Sequence, residues 1–186
     1  MLLLFPGAGS SADHPSLVAT ERWVAPHPCR RIDFPYRRAG RKAPDRAPVL
    51  MESVREAIAD VGPDEPLVLG GRSMGGRICS MVAAGADGAP RPRRLVGLVL
   101  ISYPLHPPGK PDRLRVDHLP DIDVPTLFIS GDRDTFGTPD ELRRWTSTMP
   151  RKARVRHITL GGRGHGLDDC DQTIAGAVAD FLTLVI

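Results

Sequence analysis

Leu67-Val68-Leu69-Gly70-Gly71-Arg72-Ser73-Met74-Gly75-Gly76 is the stretch on which the fold turns. Three apolar residues run into two glycines, then into a serine with a glycine two positions away on either side, then into a segment with helical spacing. This is G-x-S-x-G at a strand-to-helix turn. A serine there is held in strained backbone geometry with its hydroxyl projecting out of the sheet, and small residues at 71, 75 and 76 let neighbouring elements approach. The following helix aims free N–H groups at the place where negative charge develops. The plainer reading is a glycine-rich turn whose serine caps the helix. The two readings differ in what else they require, because a serine hydroxyl is a weak nucleophile until a base takes its proton. A catalytic Ser73 therefore needs an acid and a histidine further along, in that order.

Both are present. Gly131-Asp132-Arg133-Asp134 follows an expected strand at 126–130, and Gly161-Gly162-Arg163-Gly164-His165-Gly166 follows another at 154–159. Each lies just past the carboxyl end of an expected strand, where open α/β sheets gather their ligand sites. His165 is the expected general base. Asp134, three residues past the glycine that ends the strand, is the preferred acid, and Asp132 is read as a turn residue. Asp168, Asp169 and Asp171 are read as caps of the last helix. His14, His27, His106, His118 and His157 lack the placement after the final strand and are read as surface or packing residues. No His, Cys or Asp cluster has metal-ligand spacing, so no metal or cofactor is expected.

The loop Phe5-Pro6-Gly7-Ala8-Gly9-Ser10-Ser11-Ala12 admits two readings. Beside an acyl-transfer site it offers the Ala8 N–H, which with the Met74 N–H would form an oxyanion hole. It also satisfies G-x-G-x-x-A after a strand, with Asp33 about 20 residues on, which is the pattern of a dinucleotide site. His14-Pro15 breaks the continuous helix that a pyrophosphate needs, and that reading leaves Ser73, Asp134 and His165 unused.

Around these motifs, short apolar runs alternate with helical spacing. Strands are expected near 2–5, 30–34, 67–70, 95–102, 126–130 and 154–159, and helices near 14–25, 46–60, 74–86, 138–148 and 170–184. Strands that are apolar throughout, such as Leu98-Val99-Leu100-Ile101, imply a mainly parallel sheet covered on both faces, hence a three-layer α/β/α sandwich. Ala39 to Pro44 and Tyr103 to Pro120 read as loops, too short and aperiodic for a lid or second domain. One domain over 1–186 is expected, and a chain of 186 residues can bury a sizeable core.

With 25 basic and 22 acidic residues interspersed, a net charge of +3 does not point to nucleic acid. The opening apolar run stops at Pro6, short of a secretory signal, and no run approaches the ~18 residues of a membrane span. Cys29, Cys79 and Cys170 are odd in number and widely spaced, which implies free thiols and a cytoplasmic protein.

Several segments also carry a family likeness. Gly70 to Arg77, Arg31-Ile32-Asp33-Phe34-Pro35-Tyr36, Tyr103-Pro104-Leu105-His106-Pro107-Pro108-Gly109-Lys110-Pro111 and Pro125 to Gly131 together resemble a largely uncharacterised family of small α/β hydrolases. It includes dienelactone-hydrolase-like bacterial proteins, vertebrate testis-expressed proteins and a regulatory subunit of a histone acetyltransferase complex, the NSL complex. The resemblance implies a minimal α/β-hydrolase core without a cap. It points to Ser73, Asp134 and His165 again, and it marks Tyr103 to Lys110 as a characteristic loop. Pro6 stands where members of that family tend to carry histidine.

The expectation is a cofactor-free serine hydrolase of small-molecule carboxylic esters or thioesters. The alternative is a catalytically weak interaction module on the same fold. Arg72, Arg163, Arg133 and Lys110, all near strand carboxyl ends, are expected to make the pocket mouth electropositive and favour anionic substrates.

Overall fold

The computed structural model describes residues 1–186. The strands are β1 (Leu2–Phe5), β2 (Cys29–Arg31), β3 (Leu67–Arg72), β4 (Leu95–Ile101), β5 (Thr126–Gly131) and β6 (Arg156–Leu160). They form one sheet in the order β2-β1-β3-β4-β5-β6, and every neighbouring pair is parallel. The helices are α1 (Pro15–Trp23), α2 (Pro35–Arg38), α3 (Ala47–Ala59), α4 (Met74–Ala84), α5 (Pro139–Thr146) and α6 (Asp171–Val185). The architecture is the expected α/β-hydrolase sandwich of six parallel strands, and no cap covers it.

The two faces of the sheet explain why its central strands are largely apolar, whereas the edge strands β2 and β6 carry arginines. Leu3, Phe5, Leu67, Leu69, Leu98 and Leu100 pack with side chains of α3 and α4, including Leu50, Val54, Ile78 and Val82. Leu2, Leu4, Val68, Val99, Leu127 and Ile129 face the other way, onto Leu17 of α1 and Ile174, Val178 and Phe181 of α6. Each buried side chain of this kind contributes about 1.5–3 kcal/mol relative to exposure. Helices on both faces also leave the central strands no polar side to present.

The chain enters the sheet at β1, runs outward to β2, and returns to β3 on the opposite flank of β1. The loops after β1 and β3 therefore diverge and leave a crevice at the carboxyl ends of these two strands. Strand register brings Phe5 opposite Gly71 at that edge.

Boundaries differ from expectation where local chemistry intervenes. β2 ends at Arg31, earlier than expected, because the Asp33 carboxylate accepts the Ala12 N–H at 2.8 Å and Pro35 opens the one-turn helix α2. α4 stops at Ala84 because Gly85, at φ +70°, takes up the left-handed conformation that terminates helices. α5 opens on a reciprocal cap between Thr138 and Glu141.

Candidate active site

Ser73 is the single residue between β3 and α4 and has φ +49° and ψ −117°. A non-glycine residue in such a region costs on the order of 1–3 kcal/mol and persists only where its surroundings over-determine it. They do so here. The Ser73 N–H donates to the Ile101 carbonyl at 2.8 Å, which fixes the turn to the end of β4. A side chain at Gly71 would bring its Cβ 2.5 Å from the Phe5 carbonyl oxygen, and one at Gly75 would collide with that same oxygen. The start of α4 thus lies directly against the end of β1.

His165 arrives on the loop between β6 and α6. Its Nε2 is 2.8 Å from Ser73 Oγ, and its Nδ1 is 2.8 Å and 3.0 Å from the two oxygens of Asp134. A carboxylate only accepts, so the proton shared with Asp134 belongs to Nδ1, and Nε2 is left as an acceptor for the serine hydroxyl. Asp134 is almost wholly buried, and its Oδ1 also accepts the Phe136 N–H at 2.8 Å. The Phe136 ring stacks on the imidazole with centroids 4.0 Å apart. Asp132, by contrast, is exposed and accepts the Arg163 N–H at 3.2 Å, closing the turn against the histidine loop.

Two residues that the sequence reading left aside or misplaced hold this histidine loop. Ser102, buried at the end of β4 with φ +51°, donates its hydroxyl to the His165 carbonyl at 2.9 Å. Arg72 donates through Nη2 to the carbonyls of His165, at 2.8 Å, and of Gly166, at 2.5 Å. Arg72 is only 6% exposed, and burial pushes its guanidinium below the ordinary arginine range. It is a brace rather than the mouth charge expected of it. No sequence signal distinguishes Ser102 from any other serine after a strand.

The loop after β1 is held from beneath. Tyr36 of α2 donates to the Ala8 carbonyl at 2.9 Å, and Asp33 holds the Ala12 N–H. One oxygen of Asp33 is thereby engaged by the protein backbone, bracing the loop after β1. Ala8 and Met74 both line the cleft above Ser73. Met74 opens α4, so its N–H belongs to the first turn and has no acceptor within the helix.

The cleft encloses about 700 Å³ between these loops, and Pro104 and Phe136 form part of its wall. His14, expected as a surface or packing residue, also lines it. Its Nδ1 accepts the Ser16 N–H, so the neutral ring carries its proton on Nε2. Of the four cations expected at the mouth only Arg72 lines the cleft, whereas Arg77 and Arg115 do so without having been singled out. Lys110 and Arg133 are exposed outside it, and Arg163 lies 3.6 Å from Asp169. No three His, Cys, Asp or Glu side chains converge as a metal cage. No helix is long and apolar enough to cross a membrane.

A parallel sheet with an elbow serine, an acid after β5 and a histidine after β6 defines the α/β-hydrolase class. The chain belongs to the alpha/beta hydrolase domain family, whose profile matches residues 1–172. Similar solved structures include Est1E from Butyrivibrio proteoclasticus, 14% identical over 98% of this chain and 86% of that one, with a TM-score of 0.73. An alpha-beta serine hydrolase homologue from Coxiella burnetii is 13% identical over 98% and 85% of the two chains, at TM-score 0.74. The thioesterase domain from the curacin biosynthetic pathway is 15% identical over 98% and 90%, at TM-score 0.67. At these identities the likeness is one of fold.

Proposed function

We propose that residues 1–186 form a single hydrolase domain that cleaves carboxylic esters or thioesters of small molecules through an acyl-serine intermediate. The observation that carries this reading is the unbroken chain of contacts from Ser73 Oγ to His165 Nε2, 2.8 Å, and from His165 Nδ1 to Asp134, 2.8 Å. In it Ser73 is the nucleophile, His165 the general base and Asp134 the acid that fixes the imidazole tautomer and stabilises the imidazolium. As the Ser73 oxygen attacks the acyl carbon, its proton passes to Nε2 and the carbonyl oxygen takes up the charge. The N–H groups of Met74 and Ala8 are the donors to that oxyanion. Nε2 then returns the proton to the departing alcohol or thiol. Water, deprotonated by the same nitrogen, attacks the acyl-serine, and collapse releases the acid and restores the serine.

Esterase and thioesterase relatives of the same fold support the choice of bond. The narrower kinship with testis-expressed proteins and a histone acetyltransferase subunit rests on the sequence likeness at 31–36, 70–77, 103–111 and 125–131.

The test is labelling with a fluorophosphonate probe together with turnover of a panel of p-nitrophenyl and coenzyme A esters. Ser73→Ala is expected to abolish both while leaving the thermal midpoint at or above that of the parent, since alanine removes no core packing. An alanine variant with near-parental turnover would refute the assignment.

A further inference from the structure

Arg77 stands four residues after Ser73 on α4, one turn along the same face, and lines the same cleft. Four residues of helix rise about 6 Å, and helical side chains lean toward the N-terminus, here toward the serine. The only protein partner of its guanidinium is Met81 Sδ at 3.5 Å, a weak acceptor. Burial, and then the nearby Arg115, hold Arg77 below the ordinary arginine range.

Arg115 comes from the segment between β4 and β5, and its side chain makes neither a hydrogen bond nor an ion pair. Its backbone, however, is fixed twice. The N–H donates to the Leu105 carbonyl at 2.8 Å, and the carbonyl accepts from Tyr103 Oη at 3.1 Å. His118 Nε2 lies 3.3 Å from that tyrosine oxygen and 2.8 Å from Ser80 Oγ on α4. This polar network ties the Arg115 segment to the helix that carries Arg77.

The acids of the cleft itself are engaged, and exposed Asp117, which shares a neighbouring pocket with Arg77 and Arg115, makes no ion pair with either. Asp45, on the cleft wall, holds Arg41 through two contacts of 2.8 Å and 3.0 Å, and Asp134 holds His165. Elsewhere in the molecule Arg31, Arg55, Arg143 and Arg163 each face a carboxylate. Arg77 and Arg115 are thus neighbouring cations on the wall of a reactive cleft without a protein counter-charge. A planar guanidinium fork matches a carboxylate or phosphate, and a pair of them can hold one oxyanion from two sides.

We propose that Arg77 and Arg115 form an anion subsite, and that the substrates of Ser73 are esters or thioesters carrying a carboxylate or phosphate a few bonds from the scissile carbonyl. The subsite rests on the hydrolase reading for its place in the reaction but not for its capacity to bind anions. Three esters of matched length test it: p-nitrophenyl valerate, its ω-carboxylate analogue p-nitrophenyl hemiglutarate, and the corresponding ω-phosphonate. The expected result is a kcat/KM for a charged ester about 10-fold or more above the neutral one, with Arg77→Gln and Arg115→Gln each lowering that ratio about 10-fold. Which charged ester leads tells carboxylate from phosphate.

Binding of glutarate and of inorganic phosphate to Ser73→Ala, measured by calorimetry with and without each arginine substitution, does not depend on turnover. Arginine-dependent binding without turnover of any ester leaves the subsite standing and removes the hydrolase reading. Turnover with a charged-to-neutral ratio near one, or a ratio that both substitutions leave in place, overturns the subsite and spares the hydrolase. Without turnover, binding that is absent or indifferent to both arginines overturns it as well. If Arg77→Gln does not fold, Arg115→Gln, at a loop position, decides alone.

Discussion

Asp132 and Asp134 are two residues apart on one loop, yet only the second reaches His165. Their difference gives the sharpest test at the scale of single residues. Asp134→Asn is expected to lower kcat by about 10³–10⁴, because the amide favours the wrong imidazole tautomer and cannot stabilise imidazolium. Asp132→Asn is expected to change kcat by no more than a few-fold, since the amide oxygen can still accept the Arg163 N–H and only an exposed charge is lost. Steady-state kinetics on one ester checks both, and the opposite ranking would transfer the acid's role to Asp132. Chain order and the position of each residue past a strand pointed to Ser73, Asp134 and His165, because that order is imposed by topology. Direction was not legible. Arg72 reads in sequence as a charge beside the nucleophile, but its side chain turns inward to brace two carbonyls. Ser102 reads as nothing at all, since its role depends on a positive φ and a carbonyl 63 residues away.

At the scale of elements, the contact between β1 and the start of α4 aligns the loop after β1 with Ser73. It depends on two glycines lacking side chains. Gly75→Ala would drive a methyl group into the Phe5 carbonyl, which can move only by shifting β1 or tilting α4. Overpacking of this kind costs about 1–3 kcal/mol or more, and the Ala8 loop would move with β1. Urea unfolding is expected to show that loss, along with reduced esterase turnover. Gly9→Ala, within the turn that the Ser10 N–H closes on the Gly7 carbonyl and open to space, should be close to neutral by the same measurement. Strands such as Leu98-Val99-Leu100-Ile101 were plain in the sequence because burial on both faces requires an unbroken apolar run. The one-turn helix Pro35–Arg38 and the 3₁₀ turns at Leu119–Asp121 and Arg151–Ala153 were not. They are shorter than a helical period needs to declare itself, and they arise from proline geometry and contacts made across the chain.

For the molecule as a whole, acid should weaken the fold before its carboxylates titrate. Burial pushes His118 down to about 4, and it also lowers His157 and His14 from the ordinary value near 6.5. These rings are held neutral in the fold and bind protons once it opens. Their contribution is therefore fully present above about pH 6.5 and is lost as pH falls toward 4. The urea midpoint is expected to drop between pH 7.5 and 5, and His118→Gln to flatten that drop; a pH-independent midpoint would contradict the assignment. Parallel layering was legible from alternation alone, whereas strand order was not, because the outward step to β2 and the return across β1 leave no mark on composition.

That return creates the crevice, and the crevice is walled by loops and has no roof. An acyl group carried on Ser73 would stand in contact with bulk solvent, where water outnumbers every other acceptor. The intermediate would be partitioned by abundance rather than by selection. On the proposed reaction, a cleft of this shape favours release of a free acid over transfer of the acyl group to a second alcohol.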